Sequence, residues 1–243
     1  MPALETTGAV RCNNPDYITM KPQHIPSLEF DKIVTSRSLA KSLGGTLPSA
    51  RQRVGLLGGS FNPAHAAHYQ ISTDALKKLN LDEVWWLVSP QNPLKDTKEM
   101  APLSARVASA LLLNKHPRIR ITTIESQLES VYTSNTLSTL TARFPKVEFV
   151  WLMGADNLSQ ISLWRNWPEI FRSVKIAVFA RPGYSLQAAA SKAAQRFKHT
   201  RISENLSHNL CNVQGPAWIL IHGHQSKLSS TKIRNGHKVG KNS

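Results

Sequence analysis

The sequence predicts an open α/β protein, a parallel sheet with helices on both faces. Three observations predict it. Residues 54–57 form a short apolar run that ends in Gly58-Gly59, and a pattern of helical period follows. From Arg53 onward, apolar runs of strand length alternate with stretches of helical period. The polar motifs fall just after the apolar runs, where ligands of such sheets bind.

In the first unit, Asn62 suits a helix N-cap and Pro63 the first helical position. That helix is expected to run to about Leu79, with Ala67, Ile71, Ala75 and Leu79 on one apolar face. Residues 84–88 are a strongly apolar strand. Leu103, Val107, Ala110 and Leu111 mark a helix, and residues 119–122 alternate as a short strand does. Leu137, Leu140, Thr141 and Phe144 mark the next helix. Strands are expected at 147–153, 175–180 and 217–221. An Ala-rich helix is expected over 185–198, and a last helix begins in 229–235.

Residues 1–50 carry mixed polar residues, scattered prolines and no sustained period, and read as a mobile N-terminal extension. Met20 is a candidate alternative start, and a basic arm that touches nucleic acid is the other reading. The folded domain is expected over 51–236, followed by a basic tail over 237–243. The net charge of +15 implies attraction for anions; a solvated basic surface is the bland alternative. Cys12 and Cys211 lack metal-ligand spacing and fit a reducing, cytoplasmic setting. No apolar run reaches the length of a membrane span, and no signal-peptide core or internal repeat is visible.

Chemistry enters at Gly-Gly-Ser-Phe-Asn-Pro-Ala-His-Ala-Ala-His, residues 58–68. His65 and His68 are expected on one face of the first helical turns, near the positive end of the helix dipole. Gly58 and Gly59 permit close backbone approach. Backbone N–H groups, a helix N-terminus and two imidazoles together suit a polyphosphate. A zinc site is the rival for the two histidines, but no Glu of a His-Glu-x-x-His motif and no Cys cluster completes a ligand set.

Further motifs follow the later strands. Residues 89–96 form a proline-stiffened loop ending near Lys95, either an ordinary surface turn or a phosphate contact. Tyr132-Thr133 precedes a Ser N-cap, which is plain capping or a set of donors at a helix start. Asp156 follows a strand end and can accept from ribose hydroxyls. Trp164 offers a stacking face and Arg165 a partner for a carboxylate, although both Trp164 and Trp167 could be core residues of an amphipathic helix. Arg181 lies in a turn. In Leu-Ser-Ser-Thr-Lys-Ile-Arg, residues 228–234, Ser229 or Ser230 can cap a helix and Arg234 can fork onto phosphate oxygens.

The first motif resembles the (T/H)xGH signature of the nucleotidylyltransferase superfamily, with Ala67 where Gly is usual. Residues 228–234 resemble its second signature, Ile-Ser-x-Thr-x-Ile-Arg, with Leu228 in place of Ile. The middle motifs resemble those of the nicotinate mononucleotide adenylyltransferases: Tyr-Thr-x-Asp-Thr-Leu, with Asn135 for Asp; Pro-Pro-His-Lys, with Leu94 for His; and Gly-Ala-Asp…Trp. The likeness covers residues 53–236. It implies a Rossmann-like nucleotidylyltransferase fold and adenylyl transfer from ATP, with Mg²⁺, to nicotinate mononucleotide, giving deamido-NAD and pyrophosphate.

By that resemblance His65, His68 and Arg234 are catalytic. Gly58, Gly59, Ser60, Phe61, His65, His68, Ser230, Thr231 and Arg234 hold ATP. Lys95, Tyr132, Thr133, Asp156 and Trp164 contact the acceptor, and Arg165 is added to them on its chemistry alone. ATP and nicotinate mononucleotide are the expected partners, without a membrane or nucleic acid. A sister transferase acting on nicotinamide mononucleotide or another phosphorylated acceptor stands as the alternative. An RNA-binding module, suggested by the charge, lacks aromatics interleaved with its basic residues.

Overall fold

The computed structural model describes residues 47–90, 100–128, 131–180 and 185–222. Seven strands form one sheet: β1 Arg53–Gly59, β2 Glu83–Val88, β3 Ile119–Thr122, β4 Glu148–Gly154, β5 Lys175–Phe179, β6 Arg201–Ile202 and β7 Trp218–Ile221. Their order is β3-β2-β1-β4-β5-β7-β6, and every pairing is parallel. The strands are apolar because helices cover both faces and leave no wet side. Trp85, Trp86 and Trp218 are at most 1% exposed.

The helices are α1 Ala66–Lys78, α2 Leu103–Leu113, α3 Ile124–Gln127, α4 Thr133–Arg143, α5 Ala155–Gln160, α6 Trp167–Ser173, α7 Ser185–Ala189 and α8 Lys192–Arg196. Alternation along β1 and β2 sends Leu57, Trp86 and Val88 into the layer with α1, and Leu56, Trp85 and Leu87 into the layer with α4 and α6. The end of β7 is tied to the last turn of α1, where Lys78 Nζ donates to the His222 carbonyl at 2.6 Å.

The chain runs outward from β1 through β2 to β3, then crosses back to lay β4 on the other side of β1. Strand order therefore reverses between β1 and β4, which opens a crevice beyond their C-terminal ends. Gly59 and Gly154 end these two strands.

Several local expectations are corrected. The first helix starts at Ala66 with His65 as N-cap, not with Asn62 as cap and Pro63 as first residue. Asn62 is engaged elsewhere, its Oδ1 accepting from the Ala101 N–H at 3.3 Å, and the Asn62–Pro63 peptide is cis. The N-cap of α4 is Tyr132, and Ser134 lies inside that helix. The Ala-rich stretch divides into α7 and α8, with Ser191 capping α8 through the Ala194 N–H. Leu111 is 52% exposed, so it does not belong to the buried face of α2. Helix α3, strand β6 and the 3-10 segment Glu204–Asn212 had no periodic signal long enough to read. The expected last helix lies outside the described residues.

Candidate active site

Glycine at 58 is required by packing. A Cβ there would stand 2.3 Å from the indole of Trp151 on the neighbouring strand β4. A Cβ on Gly59 would meet only the Phe61 ring, at 3.4 Å. Phe61 turns the chain with φ +45°, a left-handed conformation costing a bulky residue about 1 kcal/mol. Burial of its ring, 1% exposed, offsets that cost.

The rings of this turn form a column. His65 and His68 stack at 3.9 Å, His68 meets Phe61 at 4.5 Å, and Phe61 stacks on Trp86 at 5.2 Å. Trp86 Nε1 donates to Ser72 Oγ at 2.7 Å, and that hydroxyl donates to the His68 carbonyl at 2.8 Å. The column is thus anchored to the second turn of α1.

The two histidines are not two equivalent positions on one helical face. His65 sits at the cap, 6% exposed. His68, half-buried, reaches back so that its Nδ1 accepts the His65 N–H at 3.2 Å. An Nδ1 that accepts carries no proton, so neutral His68 holds its proton on Nε2. The backbone thereby presets one imidazole N–H donor at the N-terminus of α1, where anions are favoured.

Beneath the turn lies Arg106 of α2, 2% exposed. Its Nη1 donates to the Ser60 and Ser89 carbonyls, each at 2.7 Å, Nη2 to Pro90 O at 3.1 Å and Nε to Ala101 O at 2.9 Å. One guanidinium so joins the ends of β1 and β2. Burial lowers its pKa, yet an arginine stays charged at neutral pH. In a trans peptide the N–H points opposite the C=O. With the Ser60 carbonyl turned toward Arg106, the Phe61 N–H points the other way.

The middle motifs meet at the start of α4. The Arg165 guanidinium lies over the Tyr132 ring, 4.8 Å from its centre. Ser134 Oγ donates to the Arg165 carbonyl at 3.3 Å. Thr133 and Ser134 open α4, so their N–H groups belong to a helix N-terminus. Trp164 is half-buried and Arg165 exposed, while Trp167 is in the core against Phe171 and Phe197. Asp156 is in the first turn of α5, directly after β4. Asn135 is exposed.

Glu125 of α3 is 6% exposed. Burial raises its carboxyl to about 7, although hydrogen bonds from Thr136 and Ser89 pull the other way. Lys95, Arg181, Ser230, Thr231 and Arg234 lie outside the described residues. Sequence reading missed Arg106, Glu125 and Trp151. For Arg106 a signal existed: Leu103, Arg106, Val107 and Ala110 share one helical face. For Glu125, on a four-residue helix, none did.

An open parallel sheet with a glycine turn, a helix N-terminus and imidazoles at its switch point defines a nucleotide-binding α/β protein. The family model for cytidylyltransferase-like proteins matches residues 56–236. The chain is 47% identical over 185 residues to a protein of Agrobacterium fabrum named "Probable nicotinate-nucleotide adenylyltransferase", covering 76% of this chain and 99% of that one. It is 50% identical over 182 residues to a protein of the same name from Methylorubrum extorquens, covering 75% and 98%. The fold matches that of the Plasmodium falciparum nicotinic acid mononucleotide adenylyltransferase complexed with NaAD, with TM-score 0.57 and 18% identity over 76% of this chain and 83% of that one. The chain belongs to the nicotinate-nucleotide adenylyltransferases of the cytidylyltransferase-like family.

Proposed function

We infer that this chain transfers the adenylyl group of ATP to nicotinate mononucleotide, releasing pyrophosphate and forming deamido-NAD, a step of NAD biosynthesis. The observation that carries this reading is a pair of unlike half-sites, each following a strand of the same parallel sheet. A phosphate-type cradle with its preset His68 donor ends β1, and a cationic aromatic pair, Tyr132 and Arg165, opens the next layer.

The acceptor phosphate is largely ionised at neutral pH and is itself the nucleophile. Its oxygen attacks the α-phosphorus of ATP and the bond to the β-phosphate oxygen breaks, with the electron pair leaving on pyrophosphate. No general base is needed, so the protein contributes in-line positioning and charge stabilisation. His68 Nε2–H and the turn N–H groups are assigned to phosphate oxygens, with His65 beside them. Ser230, Thr231 and Arg234 are assigned to the β- and γ-phosphates, and Lys95 to a phosphate of either substrate. Asp156 is assigned to ribose hydroxyls, Trp164 to the pyridine face, and Tyr132, Thr133 and Arg165 to the pyridine carboxylate.

Among the described residues no group of three or more His, Cys, Asp or Glu side chains could hold a metal ion. Mg²⁺ is assigned to ATP, where phosphate oxygens and water would hold it and it would neutralise their charge. Among the described residues no helix is long and apolar enough to cross a membrane. A cytoplasmic setting is assigned on the solubility of both nucleotide substrates.

The test is pyrophosphate release from ATP and Mg²⁺ with nicotinate or nicotinamide mononucleotide as acceptor. A strong preference for the acid is expected. Turnover of the amide alone would overturn the acceptor assignment, and turnover of neither would overturn the function.

A further inference from the structure

We propose that Glu125 is a positioning residue for the acceptor: its buried carboxyl holds the first turn of α4 to the end of β2 and, through its charge, sets the affinity for an acidic acceptor. The inference rests on the acceptor reading above. Glu125 touches no assigned substrate contact directly. It acts through Thr136, which is fully buried and whose Oγ1 donates to Glu125 Oε1 at 3.1 Å. The same hydroxyl lies 3.4 Å from the Tyr132 carbonyl. On the other side the carboxyl bonds the hydroxyl of Ser89, just past β2.

A hydroxyl has one proton to donate. When Glu125 is ionised, its carboxylate claims the Thr136 proton. When Glu125 is protonated, it can donate to a neighbouring hydroxyl, and Thr136 can turn toward the Tyr132 carbonyl. Tyr132 caps α4 and carries Arg165 on its ring, so the state of Glu125 reaches the acceptor loop through contiguous contacts.

From β2 the carboxyl is met by Ser89 and from α4 by Thr136, with Tyr132 one step beyond. Arg106 of α2 enters only through the Ser89 carbonyl, and Arg120 of β3 is paired with Glu83. Among the described residues Glu125 forms no ion pair. A negative charge in a low-dielectric interior, near a helix N-terminus assigned to a carboxylate, repels that carboxylate. Burial brings the carboxyl to about 7, so both states are populated near neutral pH.

The experiment measures kcat and both KM values for the wild type and Glu125→Gln at about pH 6 and about pH 8.5. The acceptor's own phosphate titrates near pH 6, so the readout is the wild-type to variant ratio at each pH. For nicotinate mononucleotide the KM ratio should be near one at the lower pH and rise about threefold or more at the higher, while the ratio for ATP stays constant. Equal ratios at both pH values, or a matching change in the ATP ratio, overturn the proposal. Should Glu125→Gln not fold, Thr136→Val is measured instead. It should raise acceptor KM without moving ATP KM, and Thr136→Ser should restore it; an unchanged acceptor KM in Thr136→Val overturns the positioning role. A wild type inactive with nicotinate mononucleotide would sink the acceptor reading, whereas an active one with parallel profiles sinks only this inference.

Discussion

Arg165 rests on Tyr132: the guanidinium stands 4.8 Å from the ring centre, although α4, β4 and α5 separate the two in the chain. The contact preorganises an exposed cation beside the start of α4. Arg165→Ala should raise KM for nicotinate mononucleotide about tenfold if the charge-assisted contact to carboxylate proposed for it is made. Tyr132→Phe keeps the ring face and loses only the hydroxyl, so it should cost less than Tyr132→Leu, which removes the face and should cost about two- to fivefold in acceptor KM. Steady-state kinetics at saturating ATP check all three. A larger loss in Tyr132→Phe than in Tyr132→Leu would contradict this account.

His68 presents Nε2–H because its Nδ1 is held by the backbone of His65. Such a donor is worth most where charge develops, so His68→Ala should lower kcat about a hundredfold. Acceptor KM should change little. Pyrophosphate release is the measurement, and an unchanged kcat would refute the assignment.

Gly58 has the Trp151 indole where a side chain would go. Gly58→Ala should destabilise the fold by about 1–3 kcal/mol through overpacking. In a Trp151→Leu background the same substitution should cost less, giving a coupling of about 1 kcal/mol in a double-mutant cycle followed by urea denaturation. Strict additivity would mean that the contact is not the cause.

Arg106 satisfies four backbone carbonyls at once. Arg106→Met keeps much of the side-chain length but removes all four hydrogen bonds, with a loss of about 3 kcal/mol or more. Arg106→Lys should recover only part, because one ammonium cannot reproduce the planar fork. Denaturant midpoints of the two variants decide this; equal midpoints would show that charge matters and the fork does not.

Glu125 makes stability depend on pH. Its carboxyl titrates near 4.5 when unfolded and at about 7 when folded. Between those values the folded chain binds more protons, so its contribution is fully present below pH 4.5 and is lost as pH rises to about 7. Glu125→Gln removes this dependence. Relative to the variant, the wild type should lose up to about 3 kcal/mol across the window. Thermal unfolding at a series of pH values measures the difference; parallel curves would refute the burial effect.

The alternation of apolar runs and helical periods is local, and it was enough to anticipate the parallel sheet with helices on both faces. Gly58-Gly59 after an apolar run marked the turn, and the motifs after strand ends point to the C-terminal edge, where parallel sheets bind ligands. Boundaries were weaker where a side chain answered to a distant partner. Asn62 has the chemistry of a cap, yet it bonds Ala101 instead, so α1 begins at Ala66.

The finer design of the site is tertiary. The residues that shape it read locally as ordinary: Arg106 as one more basic residue of a +15 chain, Trp151 as a strand residue, Glu125 as a polar residue of a connection. Arg106 acquires its role when the ends of β1 and β2 come within reach of one guanidinium. Glu125 acquires its own when Ser89 and Thr136 close over it. Periodicity reports which face a residue occupies. Pairing energies in a low-dielectric interior depend on which groups packing brings within hydrogen-bond distance, and only the folded chain decides that.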